Sequence, residues 1–212
     1  MQRPFFSSRS VLEALELDTA CISLLEQTPE YQQLIHADTP EAIYTAIRTI
    51  GSILNVQEQA DQLVEDLEER LNIITHKLKF IAEESRPKVA FLQDVSPQSV
   101  EPTGYLANLT RLAGGIPQTE ALTDGSNPDI LVIFSEQPVS ALLAGLPQVL
   151  SAWSHTPAVA NNRIYICYHN GYLRQPGARI ADDAEILAEI IYPNYFVFGR
   201  DADVWMKFLN PS

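Results

Sequence analysis

The sequence predicts an α/β chain: a parallel-sheet second lobe joined by a long helix to a small α/β first lobe. Three observations carry this. The β-rich runs Lys88–Leu92, Ile130–Phe134 and Arg163–Cys167 are separated by single helical stretches. That alternation gives right-handed βαβ units and a parallel, Rossmann-like sheet. From Val56 to about Glu84, the positions Val56, Ala60, Leu63, Val64, Leu67, Leu71, Ile74, Leu78 and Ile81 keep a helical period without proline or glycine. This predicts one helix of about 28 residues, roughly 40 Å long at 1.5 Å rise. It reads either as a coiled-coil arm or as a spine between lobes. The expected division is 1–55 for the first lobe, 56–85 for the spine and 86–212 for the second lobe.

In chain order, Ser10–Leu17 reads as a short helix, Ala20–Leu25 as a strand, and Thr28-Pro29-Glu30 opens another helical segment. Asp38-Thr39-Pro40-Glu41 is a clearer start, with cap residues, a proline in the first turn and an acidic residue beside the helix dipole. Ile43, Ala46, Ile47, Ile50 and Leu54 form its apolar stripe. Past the spine, Gly104–Ala113 is helical and ends at Gly114-Gly115, a C-cap rather than a phosphate loop. Val139–Leu150 is helical with an expected break at Gly145-Leu146-Pro147, and helical periodicity returns at Ile180, Ala184, Leu187, Ala188 and Ile191.

Composition narrows the function. A chain of 212 residues, 46% hydrophobic and 19% charged, can build a full core without staples. Its net charge of -13 and lack of a basic stripe argue against nucleic acid. Cys21 and Cys167 lie far apart in apolar runs and read as buried thiols. No apolar run reaches the roughly 18 residues of a membrane span, and the first twenty residues hold no signal-peptide core. The expected location is therefore the cytoplasm or, if an export signal has been removed, the periplasm or cell surface.

The sequence contains no GxSxG, GxxxxGKS/T or HExxH, and His36, His76, His155 and His169 are scattered singly, so neither a catalytic set nor a metal site is expected. Asp182-Asp183 with Glu185 reads as complement to the helix dipole. The richest stretch is Tyr168, His169, Tyr172 and Arg174, a loop following the Arg163–Cys167 strand, where an open parallel sheet presents ligands. Tyrosines offer flat apolar faces with a polar tip and arginine a fixed fork, a combination suited to a large anionic ring system. Tyr105 is expected to face the same crevice. The alternative is that the tyrosines pack on the sheet edge while Arg174 and Arg179 pair with nearby acids.

The second half resembles the single-helix-linked substrate-binding proteins of ABC importers for vitamin B12, haem and ferric siderophores. The motifs in order are Pro87-Lys88-Val89-Ala90-Phe91; Tyr105–Gly115 (YLANLTRLAGG); Asn127-Pro128-Asp129-Ile130-Leu131-Val132; Trp153 followed by Pro157–Tyr165 (PAVANNRIY); and Gln175-Pro176-Gly177-Ala178-Arg179-Ile180. The resemblance implies binding rather than catalysis and no intrinsic cofactor. The implied ligand is cobalamin, haem or a ferric siderophore, held by Tyr105, Trp153, Tyr168, His169, Tyr172 and Arg174. It also implies an ABC permease as partner, docked through Glu120. The family's first lobe begins with several βα units, whereas about one precedes the spine here, so a truncated first lobe and a one-walled cleft are expected. The other reading is a relative that no longer transports, a cytoplasmic binding or assembly module that dimerises to replace the lost wall.

Overall fold

Ser7 starts the first helix by accepting the Ser10 N–H on its hydroxyl at 3.3 Å, after which Val11 and Leu12 turn inward. This helix, α1 (Ser8–Ala14), is the first element of the computed structural model, which describes residues 6–34, 36–96, 99–100, 102, 104–118, 127–135, 137–169, 171–201 and 203–209. Ala20–Leu25 is helical rather than extended. The Asp18 carboxylate accepts the Ala20 N–H at 2.8 Å and winds Thr19–Cys21 into a 3-10 turn that runs on into α2 (Ile22–Leu25). So short an apolar run has no strand beside it to take its backbone groups, and a helix satisfies them within the segment. The segment α3 (Tyr31–Leu34) is helical as well. Among the described residues of the first 55, expected to be α/β, the regular elements are all helices, joined by turns, with one isolated β-bridge from Ser7 to Gly177.

The start read at Asp38–Glu41 is the start of α4 (Pro40–Ile53). The Thr39 hydroxyl accepts the Ala42 N–H at 3.3 Å, with Pro40 and Glu41 in the first turn. Asn55 then takes a left-handed φ of 58° and Val56 N–H reaches back to Gly51 O, closing the helix and reversing the chain. The long helix α5 (Gln57–Leu78) is shorter than the expected 56–85, because a turn intervenes before a separate 3-10 turn at Glu83–Ser85. Its stripe of Ala60, Val64, Leu67, Leu71, Ile74 and Leu78 is buried against α4 and other helices, so it is neither a solvated arm nor a coiled coil.

The sheet comprises β1 (Lys88–Gln93), β2 (Ser99–Val100), β3 (Ile116–Pro117), β4 (Ile130–Phe134), β5 (Ile164–Cys167) and β6 (Trp205–Phe208). Between them lie α6 (Gly104–Leu112), α7 (Val139–Ser151), α8 (Pro157–Ala160) and α9 (Ile180–Ile191). The spatial order is β2-β1-β4-β5-β6, with β3 also beside β1. Strands β3, β1, β4 and β5 run parallel, while β2 and β6 are antiparallel at the edges. Register pairs Phe91 with Val132 and Ile133 with Ile166.

Alternation along the strands divides the core in two. Val89, Phe91, Ile130, Val132, Tyr165 and Cys167 face the layer of α5, α6 and α9, whereas Ala90, Leu92, Leu131, Ile133, Ile164 and Ile166 face α7 and α8. Helix α7 runs through the expected break with Pro147 inside it. Proline forfeits one amide bond there, and the burial of Leu142, Leu146, Val149 and Leu150 against the sheet holds the helix together across it. Gly114, at φ 82°, closes α6, with Gly115 N–H bonded to Thr110 O at 2.8 Å, as the C-cap reading requires.

Candidate ligand-binding site

From β1 the chain passes outward to β3 at one side and then returns to β4 on the other, so the strand order reverses between β1 and β4. In open α/β sheets ligands bind beyond the carboxyl ends of the strands at such a reversal. Here those ends are bridged by Asp94 and Ser135. Ser135 donates its hydroxyl to Asp94 Oδ1 at 2.6 Å, while Asp94 N–H donates to Phe134 O. Sequence reasoning missed both residues. Their signal is positional: each is the first polar side chain after an apolar strand core, apart from Gln93 closing β1.

Next along the same edge, β5 ends at Cys167 and the chain enters the loop leading to α9. Tyr168 N–H donates to Val204 O at 3.2 Å, which ties the start of the loop to the segment before β6. Burial, with Asp203 and Cys167 adding, lifts the Tyr168 phenol above its ordinary value, so it is a hydroxyl donor at neutral pH. His169 is exposed and meets Tyr172 edge-on, with ring centroids 5.3 Å apart. The Arg179 guanidinium lies 5.7 Å from the centre of the Tyr172 ring and also pairs with Glu13 at 3.2 Å. Between them Gly171, at φ 100°, lets the chain pass close to Arg179: a Cβ there would stand 2.6 Å from Nη1.

Tyr168, His169, Tyr172 and the half-buried Arg174 lie along this one loop, and of these His169 and Tyr172 meet ring to ring. Tyr168 packs toward the α7 side of the sheet and Tyr172 toward the α9 side, so the pair flanks the end of β5. Two other expected contacts sit elsewhere. Tyr105 is 1% exposed and donates its hydroxyl to Asp183 at 2.7 Å inside the core. The burial that carries α6 onto α9 therefore turns its ring away from the crevice. Trp153 is 3% exposed among Leu92, Leu142 and Ile164 on the opposite face of the sheet. Glu120 lies outside the described residues.

The acidic start of α9 does more than complement a dipole. Asp182 and Glu185 pair with Arg70 and Arg200, and Asp183 is fully buried between Tyr105 and the backbone of Leu173. Cys167 is a free, buried thiol whose pKa burial and the nearby Asp183 push up to about 12, and Cys21 is free and half-buried. Among the described residues no group of three or more His, Cys, Asp or Glu could hold a metal ion, and no helix is long and apolar enough to cross a membrane.

The fold is that of an α/β lobe, a mostly parallel sheet layered by helices with its polar loops along one carboxyl edge. The chain belongs to the periplasmic binding protein family, whose model matches residues 19–170. Three solved structures share the fold. One is an ABC transporter substrate-binding protein from Listeria monocytogenes (TM-score 0.63, 21% identity, 74% of this chain and 66% of that one). Another is IsdE of S. aureus in complex with haem (0.58, 20%, 82% and 74%). The third is a periplasmic haem-binding protein from Pseudomonas aeruginosa (0.64, 15%, 87% and 75%). The chain thus spans just under two thirds of the first and about three quarters of the other two. No curated protein matches it.

Proposed function

We propose that this protein is the substrate-binding component of an ABC importer and that it binds a large metal chelate, a haem, corrinoid or ferric siderophore, without catalysis. The observation that carries this is the loop at the carboxyl end of β5, where the His169 ring meets Tyr172 and the Arg179 guanidinium lies over the same Tyr172 ring, with Tyr168 and Arg174 on the same loop. Rings of this kind offer stacking faces to a planar ligand, and guanidinium groups suit its carboxylates. Asp94 and Ser135 extend the same edge with polar groups. Two of the structures that share the fold are described as haem-bound or haem-binding, which supports a chelate over a small sugar or amino acid. On this reading the protein works in the periplasm or at the cell surface and delivers its ligand to a permease, with Glu120 as a docking carboxylate.

Titration of the purified protein with haemin, cobalamin or a ferric siderophore tests the reading. A spectral shift of one chelate, weakened at least tenfold by Tyr172→Ala with no loss of folding, is the expected result. Silence of all three would overturn it.

A second reading, an assembly module that pairs with another copy, is favoured by one observation. Phe80 and Val197 are 83% and 85% exposed, unusual for large apolar side chains. Light scattering showing a dimer that Phe80→Ser dissociates would support it.

A further inference from the structure

Asp183 occupies the first turn of α9 and is fully buried, yet both of its oxygens are used. One accepts the Tyr105 hydroxyl at 2.7 Å and the other the Leu173 N–H at 2.8 Å. Leu173 is itself buried and holds a left-handed φ of 60°. A branched apolar side chain occupies that region only at a cost in free energy, so something must hold it there. Its immediate neighbours are Tyr172 and Arg174, two of the residues assigned above to the ligand.

We propose that Asp183 is the positioning residue of the ligand loop: its ionised carboxylate pins the turn at Leu173 and so fixes where Tyr172 and Arg174 stand, and its protonation lets the turn go. This rests on the reading of the loop as the ligand wall. The chemistry follows from donor counting. Both oxygens face donors, so a proton added to either one competes with the bond there and removes the negative charge that strengthens both. On Oδ1 it confronts the Leu173 N–H. On Oδ2 it forces the Tyr105 hydroxyl to turn round and accept, which strands that hydroxyl's own hydrogen in the core.

The surroundings favour titration near neutrality. Burial pushes the Asp183 carboxyl up to about 7 against the Leu173 N–H and the Tyr105 hydroxyl, with Asp182 raising it further and Arg179 lowering it. From α6, Tyr105 has its phenol held well above 10 and keeps its own proton throughout. From β5, Cys167 stays a thiol, pushed up to about 12. On α9 itself Asp182 and Glu185 are taken by Arg70 of α5 and by Arg200. Within the loop, Arg174 stands close enough to act on Cys167, and His169 faces Tyr172.

Amide hydrogen exchange over residues 171–178, corrected for the intrinsic pH dependence of exchange, tests the coupling without any ligand. In the wild type the protection should rise severalfold between pH 6 and pH 8. Asp183→Asn should lose both the protection and its pH dependence. Tyr105→Phe removes a bond that favours the ionised form, so it should keep the transition but move its midpoint to higher pH, which a merely structural contact would not do. His169→Gln should leave the midpoint where it is, removing the loop imidazole as its origin. Haemin, followed by absorbance, then reads the effect on the site. With about a tenth of the protein ionised at pH 6 and nine tenths at pH 8, wild-type affinity should fall about tenfold at the lower pH and stay flat in Asp183→Asn. Equal protection at both pH values, or an unmoved midpoint in Tyr105→Phe, overturns the proposal, as does a flat affinity in a wild type that binds haemin. If haemin fails to bind at either pH, the haem reading of the site fails while the exchange result still decides the role of Asp183.

Discussion

Arg70 Nε donates to Glu185 Oε1 at 2.8 Å, joining α5 to α9 across 115 residues of sequence. The second nitrogen of the same guanidinium reaches Asp182 at 2.6 Å and Glu185 Oε2 at 2.8 Å, and Arg200 places a nitrogen on the same two carboxylates. Two cations and two anions thus close a ring in which Glu185 is nearly buried. Arg70→Ala leaves both carboxylates to Arg200 alone. Because the Arg70 side chain is 35% exposed, the expected loss is about 1–3 kcal/mol, below that of a fully buried pair. The urea midpoint measures it, and loss of both arginines should exceed the sum of the single losses.

Two neighbours on α5 give a sharper contrast. Ile74 is fully buried and Ile73 is 45% exposed. Ile74→Ala should cost about 2–4 kcal/mol by emptying core volume, and Ile73→Ala about 0.5 kcal/mol or less. Equal effects in denaturant melts would mean that the helix presents a different face to the core.

Stability should respond to pH through Asp183 in the direction opposite to most carboxylates. Its ordinary value is 3.8 and burial raises it to about 7 in the fold, so between these limits the native chain keeps a proton that the unfolded chain has lost. Native stability from this group therefore falls as pH rises from about 4 to 7, by about 1.4 kcal/mol per pH unit, and is level above. The wild type measured against Asp183→Asn at pH 5 and pH 7.5 isolates this slope. Loop order and global stability then move oppositely with pH, since ionisation pins Leu173 while burdening the core with a charge.

At Gly177 a Cβ would stand 2.3 Å from Ser10 Oγ and 3.1 Å from Ser7 O. That hydroxyl accepts the Ala178 N–H at 3.1 Å and donates to Ser7 O at 2.8 Å, and Ser7 N–H reaches Pro176 O at 2.7 Å. Gly177→Ala should push α1 off the loop, lower stability by about 1–3 kcal/mol and open residues 6–21 to limited proteolysis. An unchanged digestion pattern would show that α1 is held by other contacts.

The parallel strands and the best-capped helix were legible because each carries a local signal: the Thr39-Pro40-Glu41 start, the α5 stripe, and the runs that became β1, β4 and β5. Ala20–Leu25 misled because periodicity does not separate a short apolar run in a strand from one in a helix. Strands β2 and β3 hold two residues each, too few for any period, and β6 places Lys207 among aromatic residues with no turn chemistry to frame it. At the proposed site, the Tyr168–Tyr172 loop could be singled out because its polar-aromatic residues are contiguous in sequence. Tyr105 was not, since its direction is set by Asp183, 78 positions away. Asp94 and Ser135 needed the strand order before their proximity had meaning.

The Ser10–Ala178 contact spans 168 residues, which gives the chain a sequence in time as well as in space. The α4–α5 hairpin closes through near neighbours and can form early, whereas the loop beside β5 stays unlatched until the Ser7–Ser10 segment meets a segment made 168 residues later. The loop proposed to meet the ligand is thus fastened later than the α4–α5 hairpin, and any competence it confers waits for a contact between segments far apart in the chain.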